Sequence, residues 1–174
     1  MVMKKSILFI SALFVILYCS CNKGDSNSKG IYLNDFEAIG HWTDGQNISR
    51  ETASSGLYCT ITDSTIPYSQ TMKLNWNDLK ITNPKSADLI AWVLVKDLKA
   101  KGKLAFSIES KGQSIIWEGA EIQKSTKEIN KWTEVKFSID LNKKIPEDAL
   151  IKIYGVNDGK ERIFWDDFLL RFNN

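Results

Sequence analysis

Between Thr133 and Leu141 apolar and polar residues alternate without a break. Val135, Phe137, Ile139 and Leu141 are interleaved with Glu134, Lys136, Ser138 and Asp140. A period of two places each set on its own face of an extended chain, so this segment is a strand with one wet face. From Ile31 onward the same grammar recurs. Short runs rich in β-branched and aromatic residues are cut by Gly, Asn, Asp, Lys and Pro clusters. Strands are expected near 31–37, 47–51, 56–62, 68–76, 87–97, 103–110, 114–122, 132–141, 149–156 and 162–172. Lys111-Gly112-Gln113 and Asn157-Asp158-Gly159-Lys160 have turn chemistry. Ala91-Trp92-Val93-Leu94-Val95 is apolar on both parities and should be a central strand. No stretch keeps a helical period over three turns, although single turns are expected at Asn77–Lys80 and Pro146–Ala149. About ten strands in residues 31–174 with no helices between them predict an all-β fold, an antiparallel β-sandwich.

The chain begins differently. Lys4 and Lys5 precede an apolar run from Ile7 to Leu17, then Tyr18-Cys19-Ser20-Cys21. The run is shorter than the roughly 20 residues a bilayer span needs and carries the flanks of a secretory signal. A small residue followed by Cys at this point resembles a bacterial lipoprotein signal. The resemblance implies a signal peptide over 1–20, lipid on Cys21, and a place in the cell envelope, most simply at the outer membrane. Tyr18 stands where that pattern usually has Leu. Cys19 is the competing acceptor, but it would put bulky Tyr18 at a cleavage position that wants a small side chain. Residues 21–30 read as the lipidated Cys and a polar tether, and nine extended residues reach about 30 Å.

Of the 23 basic residues Lys4 and Lys5 leave with the signal, so 21 basic face 21 acidic. The signs are interspersed, and no basic stripe is available to neutralise phosphates, which argues against a nucleic-acid partner. Cys59 is then the one Cys of the folded part, too few for an internal disulfide. It lies in a strand run and reads as a buried thiol.

Four segments carry a family resemblance. They are Asn34-Asp35-Phe36-Glu37 with Gly40-His41-Trp42, then Glu51-Thr52-Ala53-Ser54-Ser55-Gly56-Leu57-Tyr58, Lys131-Trp132-Thr133-Glu134-Val135, and Ile163-Phe164-Trp165-Asp166-Asp167-Phe168-Leu169-Leu170. In this order they resemble the galactose-binding-like β-jelly roll, and within it the CenC-type carbohydrate-binding modules. The resemblance covers residues 31–172. It implies a jelly roll, a glycan ligand and a possible structural calcium ion. Glu37, Glu51 and Asp166 would be its carboxylate ligands, with carbonyls near Asp35 and Ser54 completing an oxygen shell. The alternative is that Asp166 and Asp167 cap turns or pair with Lys and Arg.

A pyranose is gripped by flat aromatic faces with polar groups around them. Of six Trp residues, Trp42, Trp132 and Trp165 occupy motif positions that read as structural, and Trp92 sits in the most apolar strand. Trp76, between Asn75 and Asn77, and Trp117, before Glu118, are the glycan candidates. Tyr68, near Gln70, and Tyr154, near Asn157, are second.

Catalytic signals are missing. His41 is the single His, so a Ser-His-Asp or Cys-His arrangement would have to use it. No E-x-D-x-x-E strand of the laminarinase type occurs, and Asp166 and Asp167, adjacent in a strand, should face opposite ways. The expectation is therefore a non-catalytic, lipid-anchored module that captures carbohydrate for envelope enzymes or transporters. A protein-interaction module with the same fold and no sugar site is the alternative.

Overall fold

A computed structural model describes residues 30–38 and 47–174. The expected signal peptide and tether, Cys21, His41 and Trp42 lie outside the described residues. Among the described residues there are ten strands: β1 (Ile31–Asn34), β2 (Ile48–Ser49), β3 (Cys59–Thr62), β4 (Met72–Asn75), β5 (Ser86–Val95), β6 (Gly102–Ser110), β7 (Gln113–Glu121), β8 (Thr133–Asp140), β9 (Leu150–Asn157) and β10 (Ile163–Asn173). Single 3₁₀ turns occupy Trp76–Asp78 and Ile122–Lys124. The first overlaps the turn expected at Asn77–Lys80, and the second begins where the strand expected over 114–122 ends.

Every pairing is antiparallel. One sheet runs β2-β3-β10-β5-β8, with β1 also on β10; the other runs β4-β9-β6-β7. Their facing sides enclose one core, in which Leu89, Leu104, Phe106, Ile108, Ile139, Ile151, Ile153 and Trp165 are fully buried. This is the β-sandwich that the alternation required. The expected hairpin closes between Ser110 and Gln113, and Lys111 and Gly112 both take positive φ, the two-residue turn that suits strand twist. After β9, the Gly159 N–H donates to the Asn157 side-chain oxygen at 2.8 Å and starts the second expected turn.

Gly155 marks the tightest point of the core. A Cβ there would lie 2.3 Å from the Trp165 ring, so only glycine lets the indole cross β9. The Trp165 Nε1–H donates to Thr62 Oγ1 at 3.0 Å, satisfying the buried donor. Trp165 is therefore structural, as its motif position suggested. Trp132 packs against a small outer cluster of Cys59, Leu94 and Phe164. Cys59 is a free, buried thiol, pushed up to about 12 by desolvation and then by Asp166 and Glu51. β5 is central, between β10 and β8, yet Trp92 is only partly buried. It pairs with Glu134 and Asp166 at the point where strand parity turns it outward.

Candidate functional site

The outer face of the β4-β9-β6-β7 sheet gathers the exposed aromatics. Ile151, Ile153 and Gly155 of β9 point into the core, so Lys152 and Tyr154 point out. On β6 the same parity sends Ala105, Ser107 and Glu109 outward, and Trp117 of β7 stands opposite Ser107. Across β6, Ser107 faces Lys152 and Ala105 faces Tyr154. The Trp117 Nε1–H donates to the Tyr154 hydroxyl at 3.1 Å, so the indole bridges from β7 to β9 over the small residues of β6. Ala105 and Ser107 are buried although they face outward, which fits a floor beneath that bridge. Gly119 extends the floor, since a Cβ there would come 3.5 Å from the Trp117 ring. Trp117 nonetheless keeps 52% of its surface exposed.

Tyr68 continues the aromatic strip. Its ring centre lies 6.0 Å from that of Tyr154, edge-on, and its backbone bridges to Val156. Between the tyrosines and the sheet lies a cleft of about 250 Å³ lined by Tyr68, Thr71, Glu109, Lys152 and Tyr154. Lys152 Nζ pairs with Glu109 Oε2 at 2.5 Å, and Ser107 Oγ donates to Glu109 Oε1 at 3.3 Å. The site therefore has flat rings beside a fixed ion pair, the two kinds of surface a pyranose presents partners for. Three of the four aromatic candidates, Trp117, Tyr154 and Tyr68, come together here.

Trp76 does not join them. It opens the first 3₁₀ turn, packs edge-on against Phe172 at 6.1 Å, and lines a different cleft at one end of the sandwich. The polar neighbours read from sequence are also displaced. Glu118 is one residue from Trp117 and so faces away from it; Asn157 is buried and donates to the Glu161 carbonyl; Gln70 is buried. The polar groups actually beside the rings, Glu109 and Lys152, are two residues along a strand or one strand across. Period-two spacing linked Lys152 to Tyr154 in the sequence, but Glu109 reaches the site only through pairing.

The three carboxylates proposed for calcium are each taken up by other partners. Asp166 lies at a bulge of β10 and is wholly buried. Its Oδ2 accepts from the Ser54 N–H at 2.7 Å and the Ser55 N–H at 3.2 Å, and its Oδ1 accepts from the Asp167 N–H at 2.8 Å. Glu37 Oε1 accepts from the Leu57 and Tyr58 N–H groups, both at 2.8 Å. Glu51 is exposed and paired with Lys96 and Arg162, and Lys96 holds it below the usual carboxylate range. Among the described residues no group of three or more His, Cys, Asp or Glu side chains could hold a metal ion. At Ser54 an amide donor faces Asp166, which is the opposite polarity to a calcium-facing carbonyl. As placed, these residues do not fit a calcium shell. Burial, reinforced by Asp167, pushes Asp166 up to about 7 despite its three amide donors.

The chain shares its fold with solved carbohydrate-binding modules. The CBM22-2 xylan-binding domain from Paenibacillus barcinonensis Xyn10C superposes with a TM-score of 0.56 at 12% identity, covering 82% of this chain and 99% of that one. The C-terminal family 22 carbohydrate-binding module of Clostridium thermocellum Xyn10B gives 0.55 at 15% identity, covering 84% and 94%. Part of the MgGH51 α-L-arabinofuranosidase gives 0.52 at 11%, covering 72% of this chain and 21% of that one. No family model matches the sequence. No curated protein matches it either. At these identities the likeness is one of fold, and it bears out the jelly roll that the motifs resembled.

Glycoside hydrolysis in its usual form needs two carboxyl groups flanking one bond. The aromatic cleft is lined by one, Glu109, and that one is neutralised by Lys152. At the β10 bulge Asp166 is sealed from solvent.

Proposed function

We propose that this protein is a non-catalytic carbohydrate-binding module, held at the bacterial cell envelope by lipid on Cys21, that captures polysaccharide for neighbouring envelope proteins. The observation that carries the reading is the Trp117 indole, laid across β6, tied to Tyr154 and still half exposed. An exposed indole on a sheet face offers a flat apolar surface for a sugar ring, and the hydrogen bond to Tyr154 fixes its plane in advance of binding. The Lys152–Glu109 pair beside it supplies donors and acceptors for hydroxyl groups. Structural neighbours described as xylan-binding make xylan the first polysaccharide to test. The anchor follows from the Ser20-Cys21 junction, and a tether of nine residues would hold the sheet face close to the membrane.

The deciding experiment is affinity electrophoresis of the full-length chain, in a polyoxyethylene detergent, through gels containing xylan or other polysaccharides. Half of an indole is roughly 120 Å². Covering half of that at about 25 cal/mol/Å², with stacking added, gives about 2 kcal/mol. Trp117→Ala should therefore weaken retention on the order of 30-fold. Equal retention of wild type and Trp117→Ala, or no retention by any polysaccharide, would move the reading to a protein-interaction module.

A further inference from the structure

A second cleft of the described residues lies away from the sheet face. It measures about 640 Å³ and lies between the 81–85 segment before β5 and the 141–145 segment after β8, with Trp76 in its wall. Its two walls are fixed to each other: the Leu141 N–H donates to the Lys85 carbonyl, and the Lys85 N–H to the Asn173 carbonyl, both at 2.9 Å. Three lysines line it, Lys85, Lys143 and Lys144, and no carboxylate does. In a mature chain with balanced charges, that is a marked local excess. Lys143 Nζ donates to the Ile115 carbonyl at 3.3 Å. Lys85 and Lys144 have no side-chain partner among the described residues, so two ammonium groups are left for a ligand. Asn83 and Asn142 add amides at the rim.

We infer that this end cleft is a second binding site, for a saccharide bearing carboxylate groups, a uronic acid residue whose ring lies against Trp76 and whose carboxylate is held by Lys85 and Lys144. Its volume falls within the range of small-ligand pockets. The indole wall favours a ring over a bare anion, and the lysines favour a charged ring over a neutral one. Gly30, where the tether joins the domain, abuts Ile81 in the same wall, so anionic lipid headgroups could also reach this end. A concave, aromatic-walled cleft suits a saccharide better than a flat bilayer does. The site goes beyond the sheet-face reading and does not depend on it.

The test is titration of the full-length chain with trigalacturonate, its neutral methyl ester, inorganic phosphate, and phosphatidylglycerol vesicles. Each is run on wild type, the Lys85→Gln/Lys144→Gln double variant and Trp117→Ala. Losing one charge-assisted contact corresponds to about a tenfold loss. Trigalacturonate should bind wild type and Trp117→Ala alike. It should bind the double variant at least about tenfold more weakly, as should the ester to wild type, and it should weaken with salt. Five results would overturn the inference: no trigalacturonate binding, undiminished binding to the double variant, phosphate binding as tightly, lysine-dependent vesicle binding in its place, or loss of trigalacturonate binding in Trp117→Ala. Loss of trigalacturonate binding in Trp117→Ala would place the acidic sugar on the sheet face. Failure of neutral polysaccharide to bind would count against the sheet-face proposal alone.

Discussion

Asp166 makes the stability of this fold depend on pH in a direction opposite to that of most carboxylates. Burial raises it from 3.8 to about 7, so between those values the native state holds a proton that the unfolded chain releases. Stability then falls as pH rises wherever the native state binds more protons. Integrating from pH 5 to pH 8 gives a loss of roughly 3 kcal/mol, at about 1.4 kcal/mol per pH unit over the affected span. For a domain of this size that lowers Tm by on the order of 10 °C. The window isolates Asp166. Glu51, Asp63 and Asp88 are held below their ordinary values by Lys96, Thr65 and Ser138 respectively, so their contributions are lost only in stronger acid. Cys59 titrates far above the window. The control variant is His41→Gln, which removes the single imidazole of the chain. Thermal melts followed by near-UV circular dichroism at pH 5, 6, 7 and 8 give the slope. Asp166→Asn should flatten it, whatever that variant does to absolute stability, since the amide cannot titrate. A flat or rising Tm in wild type, or an unchanged slope in Asp166→Asn, would refute the reasoning.

Two further outcomes are expected. Gly155→Ala sets a methyl group 2.3 Å from the Trp165 ring in a fully buried site. It should destabilise by about 3 kcal/mol, near the top of the overpacking range, and a Tm within two degrees of wild type, on the order of the effect of half a kcal/mol, would contradict the packing argument. Millimolar calcium against chelator should leave Tm unchanged, because amide donors already occupy Asp166 and Glu37. A rise of several degrees with calcium would show that the carboxylates regroup around the ion.

The strands were legible because period-two alternation and turn chemistry are local properties. Val135 to Leu141 and Lys111-Gly112 needed no partner to be read. The binding face was only partly legible, since it is assembled by pairing. Trp117, Tyr154 and Tyr68 carried the right chemistry, and nothing in the chain order showed that β6 would lie between two of them with a floor of small side chains. Trp76 has polar neighbours as promising as those of Trp117, but its 3₁₀ turn carries it to the end of the sandwich. Glu51 looked like a ligand by its place in a motif. Lys96 and Arg162, brought alongside by the fold, claim it instead.

The motifs themselves have a physical explanation that separates fold from function. β10 is long, and one of its edges is served end to end by two short strands, β3 on Ile163–Trp165 and β1 on Phe168–Arg171. Between them, on that edge, Asp166 and Asp167 have no partner strand, and Asp167 takes φ +49° where the chain bulges. The 54–58 loop fills that gap. Its amides at 54 and 55 turn to Asp166 and those at 57 and 58 to Glu37, and Phe36 packs edge-on against Phe168 at 5.1 Å. Gly56 is required because it takes φ +60° with the Glu37 carboxyl 2.4 Å from where a Cβ would stand. Asn34–Glu37, Ser54–Tyr58 and Phe164–Phe168 thus converge on one seam, and its acidic side chains Glu37 and Asp166 are accounted for by backbone donors that would otherwise be unpaired. Trp117, Tyr154, Tyr68, Glu109 and Lys152 belong to none of those segments. Chains could keep the seam, and so the resemblance, while replacing every side chain on the sheet face. For this reason the motifs testify to the jelly roll, and the case for a glycan rests on Trp117 and its neighbours.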